Sequence, residues 1–213
     1  MIRHEIDQLF LRMKSGYLFF EKPHINFSST RSMCNCGNRL NILKTDEKLI
    51  STLEVGEFIA RETQKICKHC KQIYCSAELR ALTPNKGKFG FDVIEFIGKS
   101  LFLLCHNESE IQAQLAVKNI PISFNEIGFL GKRFIVYLML AHKECQEQLK
   151  QYMYSKGGYI LHMDGTCEGD SPHLFRCIDE ISNIVLGNRK MLTEDSLYII
   201  PFLQSLKKAY GIP

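Results

Sequence analysis

Two short cysteine clusters are the residues best suited to chemistry in this sequence. Cys34 and Cys36 are separated by one residue and followed by Gly37, and Cys67 and Cys70 are separated by two. Each short turn can present two thiolates to one point, which is what a tetrahedral zinc ion requires. We therefore predict that these four cysteines hold a structural zinc ion, and that metal binding supplies folding energy to a small β unit.

The spacing of the first cluster leaves its ligand set open. Met33 stands where a two-residue spacing would place the first ligand, so Cys75 or His69 is the alternative ligand if Cys34 does not reach the ion. The other interpretation is that the thiols are buried or incidental. The chain has nine cysteines, and an odd number in a reducing compartment favours metal ligation or burial over disulfides.

A carboxylate follows an apolar run late in the chain. Residues 159–163 pattern as a strand, and Asp164 then leads through a Gly-Thr turn to Glu168 and Asp170. A carboxylate at a strand end is a common ligand in sites where several elements hold two divalent ions about 3.5–4 Å apart. It is equally common in an ordinary turn, and Glu168 and Asp170 are interpreted as turn acids.

The composition is that of a folded protein of one large domain or two to three small ones. Of 213 residues, 45% are hydrophobic and 23% charged, and the net charge is +4. This charge permits nucleic-acid binding without indicating it. No apolar run approaches the roughly 18 residues of a membrane span, and acids interrupt the N-terminus where a signal peptide would be apolar. We expect a cytoplasmic protein that does not bind membranes.

The first of three predicted regions, residues 1–84, positions the cysteines. It begins with a short amphipathic helix. Residues 49–55 and 57–66 then alternate roughly on either side of Gly56, which predicts two strands joined by a turn. With the cysteine turns, this pair is predicted to form a small zinc-ribbon β unit.

The second region, residues 85–158, is predicted to be helical. Residues 91–104 are apolar nearly all round, which indicates a buried helix, and residues 108–118 form a helix capped by Asn107. A capping-box pattern at Ser123 then opens a long helix that is predicted to end at the Gly157-Gly158 pair. The side chains predicted to face inward on this helix are Phe124, Ile127, Phe134, Ile135 and Leu138.

The two helices around Pro121 resemble a helix-turn-helix motif. In that motif the second helix enters the major groove and its early residues meet base edges, while nearby cations meet phosphates. An ordinary helical hairpin with solvated lysines fits the pattern equally well. The predicted DNA contacts are Lys118, Ser123, Asn125, Lys132 and Arg133.

The third region, residues 159–213, is predicted to hold three strands and one helix. The strands cover residues 159–163, 174–178 and 184–191, and Thr193 is predicted to cap the helix. Such a sheet keeps an exposed edge, so we expect association through it or partial disorder. The fold class is thus α+β: a zinc ribbon, a helical middle and an incomplete α/β segment.

The chain resembles bacterial transposases of the DDE class, which combine a zinc ribbon, a helix-turn-helix region and an RNase H-like catalytic domain. The strongest part of this resemblance is the block of residues around Asp164. The motifs that carry the resemblance are Cys36-Gly37, Gly56-Glu57-Phe58, Cys67-x-x-Cys70, Gly98-Lys99, Gly131-Lys132-Arg133-Phe134 and the stretch from Gly158 to Pro172.

The resemblance implies cleavage and transfer of double-stranded DNA ends by three acids and two magnesium ions. Only the first acid maps onto this sequence, at Asp164. The second is expected on a strand just beyond the helix that ends near Gly211, and the third is absent as well. We therefore expect a truncated transposase that binds DNA but does not cut it alone, with magnesium bound only in a full-length catalytic domain.

A second hypothesis is a zinc-ribbon module that binds other proteins or regulates them. Salt dependence separates the two, since phosphate contacts make log affinity fall linearly with log salt.

Overall fold

The computed structural model describes residues 22–167, 169 and 171–213, which form seven strands and six helices. The mixed α+β class is confirmed. The chain divides into two compact units, Met1–Val136 and Tyr137–Pro213. The amphipathic helix predicted near the N-terminus lies outside the described residues.

The first unit is built on a long antiparallel strand pair. Strands β2 (Leu40–Thr52) and β3 (Gly56–Cys67) pair along their whole length, with one irregularity between Ile42 and Lys44. Strand β1 (His24–Ser28) runs parallel to β3, and the short β4 (Ile73–Tyr74) pairs with the end of β3. The pair predicted around Gly56 is therefore confirmed, and β2 begins nine residues earlier than predicted.

Four helices follow the sheet. They are α1 (Ala77–Leu82), α2 (Phe91–Phe102), α3 (Glu108–Val117) and α4 (Phe124–Glu144). The predicted capping box of α4 is present, because Glu126 accepts from the Ser123 N–H at 3.0 Å and Ser123 Oγ accepts from the Glu126 N–H at 3.3 Å.

The hairpin turn of the ribbon meets the loop between α3 and α4. Gly56 has a φ of +80°, and a Cβ there would lie 2.8 Å from the carbonyl oxygen of Lys118, so both the turn and the close approach need glycine. The Glu57 N–H also donates to the carbonyl of Asn119 at 3.2 Å. The ribbon and the helical segment are thus joined within this unit.

The second unit is a three-stranded antiparallel sheet with helices. Strands β5 (Leu161–Thr166), β6 (His173–Asp179) and β7 (Val185–Met191) lie in that order, and α5 (Gln146–Ser155) and α6 (Ser196–Tyr210) flank them in sequence. The helices pack on one face of the sheet. Its buried core is made of Met153, Tyr159, Phe175, Cys177, Leu186, Met191, Phe202, Leu206 and Tyr210.

Three local predictions are wrong. The long helix is interrupted at Cys145, whose ψ of 5° departs from the helical value near −42°. The last helix is capped by Asp195, which accepts from the Leu197 N–H at 3.1 Å, and not by Thr193. Asp164 lies inside β5 and not after its end, because that strand begins and ends later than predicted.

The inward face of α4 is also shorter than predicted. Ile127 is fully buried, and Phe134 stacks on Phe102, the last residue of α2, with ring centroids 6.5 Å apart. Phe124 begins the helix and is 51% exposed, and Ile135 and Leu138 are 45% and 55% exposed.

Candidate metal centre and basic surface

The four predicted cysteines lie together at one end of the β2–β3 pair. All four sulfur atoms are within 4.8 Å of one another. The Cys34–Cys70 sulfurs are 3.3 Å apart, the Cys36–Cys67 sulfurs 3.5 Å and the Cys36–Cys70 sulfurs 3.7 Å. The two clusters thus converge on one point, as the sequence predicts.

These separations fit a tetrahedral ion. With zinc–sulfur bonds of about 2.3 Å, the edge of a tetrahedron of sulfurs is about 3.8 Å. Three of the six sulfur–sulfur separations, at 3.3–3.7 Å, are slightly shorter than that edge, and all six are within 4.8 Å, so small adjustments of the side chains would admit the ion. A set of four sulfurs favours zinc or another thiophilic metal.

Backbone hydrogen bonds shape the two turns that carry the thiols. In the first turn, the Cys34 N–H donates to the Asn38 carbonyl at 2.8 Å, and Gly37 adopts a φ of +83°. In the second, the Lys71 N–H donates to the Cys67 carbonyl at 2.9 Å. Because Leu40 lies opposite Cys67 in the strand pair, the register of β2 against β3 aligns the two turns.

The surroundings favour thiolate at one side of the cluster. The side-chain amide of Asn38, 3.4 Å from Cys36 Sγ, and the Asn38 backbone lower the pKa of Cys36 to about 5. The backbone of Cys36 and the hydroxyl of Tyr74 lower the pKa of Cys34. The backbone of Gln72 lowers the pKa of Cys70, but the neighbouring sulfurs and burial outweigh it and raise that pKa to about 12.

Neither alternative ligand is part of the group. Within the described residues, the four cysteines are the set of His, Cys, Asp and Glu side chains whose ligand atoms gather closely enough for one ion. His69 is exposed, and Cys75 interacts with Arg80. Cys34 therefore belongs to the group although Met33 stands at the usual first position. Met33 forms an isolated bridge with Arg39, and the following Cys34 is buried, at 7% exposure.

Of the five residues predicted to contact DNA, three are exposed and one caps a helix, while Arg133 lines a cavity. Asn125 and Lys132 are exposed on one face of α4, where they lie at positions i and i+7 with Phe129 at i+4 between them. Lys118 is exposed at the C-cap of α3. The Ser123 hydroxyl is instead held by Glu126 at 2.9 Å, which makes it a helix cap.

Arg133 belongs to a cluster that sequence reasoning missed. Its guanidinium lies 5.7 Å from the ring centroid of Phe129, and it lines a cavity together with Lys86 and Lys88. These lysines come from the loop before α2. The sequence signal was the basic, glycine-containing run Asn-Lys-Gly-Lys-Phe at residues 85–89.

Asp164 pairs with an arginine on the neighbouring strand. Its Oδ2 accepts from Arg176 Nη2 at 2.7 Å and from Nε at 3.1 Å, and the two residues are directly opposite in the sheet. Glu168 and Asp170 lie outside the described residues. Among the carboxylates that the structure describes, none gathers with Asp164 into a group of three metal ligands.

The chain matches no family model, no curated protein and no solved structure. The resemblance to transposases therefore rests on the motifs quoted above.

No helix within the described ranges combines the length and apolarity needed to cross a membrane.

Proposed function

We propose that this protein is a zinc-stabilised, transposase-like DNA-binding protein that does not cut DNA by itself. The observation that carries the proposal is the exposed polar and basic face on α4, in the same unit as the ribbon with its four clustered cysteines. Asn125 and Lys132 are exposed there. Double-stranded DNA is the proposed partner, with base contacts from Asn125 and phosphate contacts from Lys118, Lys132 and Arg133.

The zinc ion has a structural role in this proposal. Four protein sulfurs fill the coordination of a tetrahedral ion and leave no position for water or substrate, which is typical of structural sites. Bound there, the metal would lock the two turns at the end of β2 and β3.

The surroundings of Asp164 support the proposal that the chain does not cut DNA by itself. A two-metal reaction needs carboxylates from separate elements around the same ions. Here the carboxylate already accepts two hydrogen bonds from Arg176, and a guanidinium competes with a cation for the same oxygen. The three-stranded antiparallel sheet and α6 are proposed to correspond to the first part of an RNase H-like domain, whose exposed strand edge would pair with further structure or a second copy.

DNA binding is tested by fluorescence anisotropy with a labelled duplex at several salt concentrations. We expect log affinity to fall linearly with log salt. Replacing both Lys132 and Arg133 with alanine should reduce the slope by about 1.8, since each lost phosphate contact removes about 0.9. Lys208→Ala, an exposed lysine on α6, is the matched control and should leave the slope unchanged.

The alternative of a protein-binding ribbon is favoured by one observation. Ile42 and Ile73 are 71% and 47% exposed on the ribbon strands, and such apolar side chains suit a protein surface. Binding that is independent of salt, or absent for every duplex, would reject the DNA-binding proposal and favour this alternative. The proposed lack of cutting would be contradicted if the pure chain nicked DNA in the presence of magnesium and Asp164→Ala abolished this activity.

A further inference from the structure

The first unit contains a basic cavity between the loop at residues 84–89 and the first half of α4. Its volume is about 300 Å³. This lies at the lower end of the range of about 300–1,000 Å³ that is usual for ligand sites. Three basic residues line it, Lys86, Lys88 and Arg133, together with Glu126 and Phe129.

The charges of this cavity favour an anion. Glu126 is its one lining carboxylate, and its Oε2 already accepts from the Ser123 N–H and hydroxyl at 3.0 and 2.9 Å. Lys88 forms an ion pair with Glu57 at 3.3 Å, and Glu57 also pairs with Lys22 at 2.5 Å. Since the buried Glu57 carboxylate is shared between Lys22 and Lys88, these three side chains together keep a net positive charge.

The loop that carries the lysines is held in place by backbone bonds. The Ser51 N–H donates to the Lys88 carbonyl at 2.9 Å, and the Gly90 N–H donates to the Ser51 carbonyl at 2.8 Å. The Gly87 N–H closes a turn on the Pro84 carbonyl at 2.8 Å, with Lys86 at a φ of +60°. The loop is thereby attached to β2, so its backbone needs little ordering when an anion binds.

An aromatic ring completes the site. Phe129 is 59% exposed, although the floor beneath it is closed by Phe89, Ile94 and Leu130, all at most 6% exposed. A phenylalanine ring exposed among cations gives a base a surface on which to stack, and stacking of this kind tolerates any base. The Arg133 guanidinium over the same ring adds a positive charge beside it.

We infer that this cavity binds one nucleotide of a single strand, with its base on Phe129 and its phosphate at Lys86, Lys88 and Arg133. The inference rests on the proposed function and names a single strand as a second partner beside the duplex. A base in the interior of a duplex is stacked on both faces by its neighbours, so neither face is free to stack on Phe129. The same chemistry is present in a free mononucleotide, and the experiment must separate these two sources.

The test compares a labelled 20-nucleotide oligo-dT with a labelled 20-bp duplex by anisotropy on the full chain. Phe129→Ala should weaken oligo-dT binding by about 5- to 140-fold, the range for loss of one stacked base. Its effect on the duplex should be at least fivefold smaller. Phe124→Ala is the matched control, since Phe124 is also exposed, at 51%, on the same helix and does not line the cavity.

A second variant checks the phosphate contact. Lys86→Gln should also weaken oligo-dT binding, and circular dichroism should show that each variant is folded, as expected for exposed side chains. Competition by thymidine 5′-monophosphate at concentrations where inorganic phosphate has no effect would identify the free nucleotide as a ligand. Competition only by unlabelled oligo-dT would identify the strand.

The outcomes separate the inference from the proposed function. Equal losses for oligo-dT and duplex in Phe129→Ala, or no loss in either, would overturn the nucleotide site and leave DNA binding intact. If neither nucleic acid binds, the proposed function fails. Direct titration with thymidine 5′-monophosphate then tests the cavity alone. If the nucleotide binds wild type and Phe129→Ala abolishes this binding, the cavity is a mononucleotide site. If the nucleotide does not bind, the inference is overturned.

Discussion

Replacement of one exposed thiol should remove the metal and destabilise the first unit. Cys36 is exposed, and its sulfur lies 3.5 Å from that of Cys67 and 3.7 Å from that of Cys70. Cys36→Ser therefore removes one ligand without opening a buried cavity. We expect purified wild-type protein to carry about one zinc ion per chain and the variant to carry much less, as measured by elemental mass spectrometry.

The size of the stability change follows from linkage. A ligand that binds only the folded state at 1,000 times its dissociation constant stabilises that state by about 4 kcal/mol. Tm changes by about 4–8 °C per kcal/mol for domains of 60–100 residues and by about 2–4 °C for 150–250 residues. The first unit, residues 1–136, falls between these sizes, so loss of the metal should lower its Tm by roughly 16 °C, in the variant and in chelator-treated wild type alike.

Two other cysteines provide the controls. Cys105 is exposed and distant in sequence from the four clustered cysteines. Cys75 is only five residues after Cys70, but it interacts with Arg80. Cys105→Ser and Cys75→Ser should both keep the metal and the Tm. The geometry would be refuted if wild-type protein carried no metal after zinc reconstitution, or if Cys75→Ser lost as much metal as Cys36→Ser.

Three further perturbations probe other contacts. Asp179 is fully buried and accepts from three backbone N–H groups and one hydroxyl, so Asp179→Asn should destabilise the second unit by about 1–3 kcal/mol in urea unfolding; an unchanged midpoint would contradict this. Burial raises the pKa of Glu57, but two lysine partners outweigh it and lower that pKa overall. Its stabilisation is therefore present above its usual pKa near 4.5 and lost as pH falls through the folded value, so the stability difference from Glu57→Gln should shrink on acidification and not grow. A Cβ at Gly98 would overlap the Phe134 ring, whereas one at Gly128 meets nothing within 4 Å; Gly98→Ala should destabilise by about 1–3 kcal/mol and Gly128→Ala should not.

Local signals in the sequence predicted much of the fold. The strands around Gly56, the caps at Asn107 and Ser123 and the two separate cysteine turns each rest on residues within a few positions of one another. The structure shows each of them, including the capping box between Asn107 and Glu110. Such features are encoded by short-range hydrogen bonds and side-chain alternation, which a single sequence displays directly.

Contacts between distant residues could not be predicted in the same way. The pairing of Asp164 with Arg176 depends on the register of β5 against β6, and a shift of one residue would place Asp164 on the opposite face. The predicted inward face of α4 failed for a similar reason. Periodicity marked an apolar face on that helix, but only the end of α2 at Phe102 fixes how much of this face is covered.

The predicted metal site and the basic cavity lie towards opposite ends of the same strand pair. The cysteines lie at one end of the β2–β3 pair, while Ser51, near the other end, holds the loop with Lys88. One irregularity between Ile42 and Lys44 interrupts the register between these ends. Pairing that slips by one residue exchanges the faces of a strand, so holding the two cysteine turns together would favour the observed register and, with it, the face of β2 that meets the loop. We therefore expect a metal ion bound at the cysteines to organise the cavity without contacting its ligand.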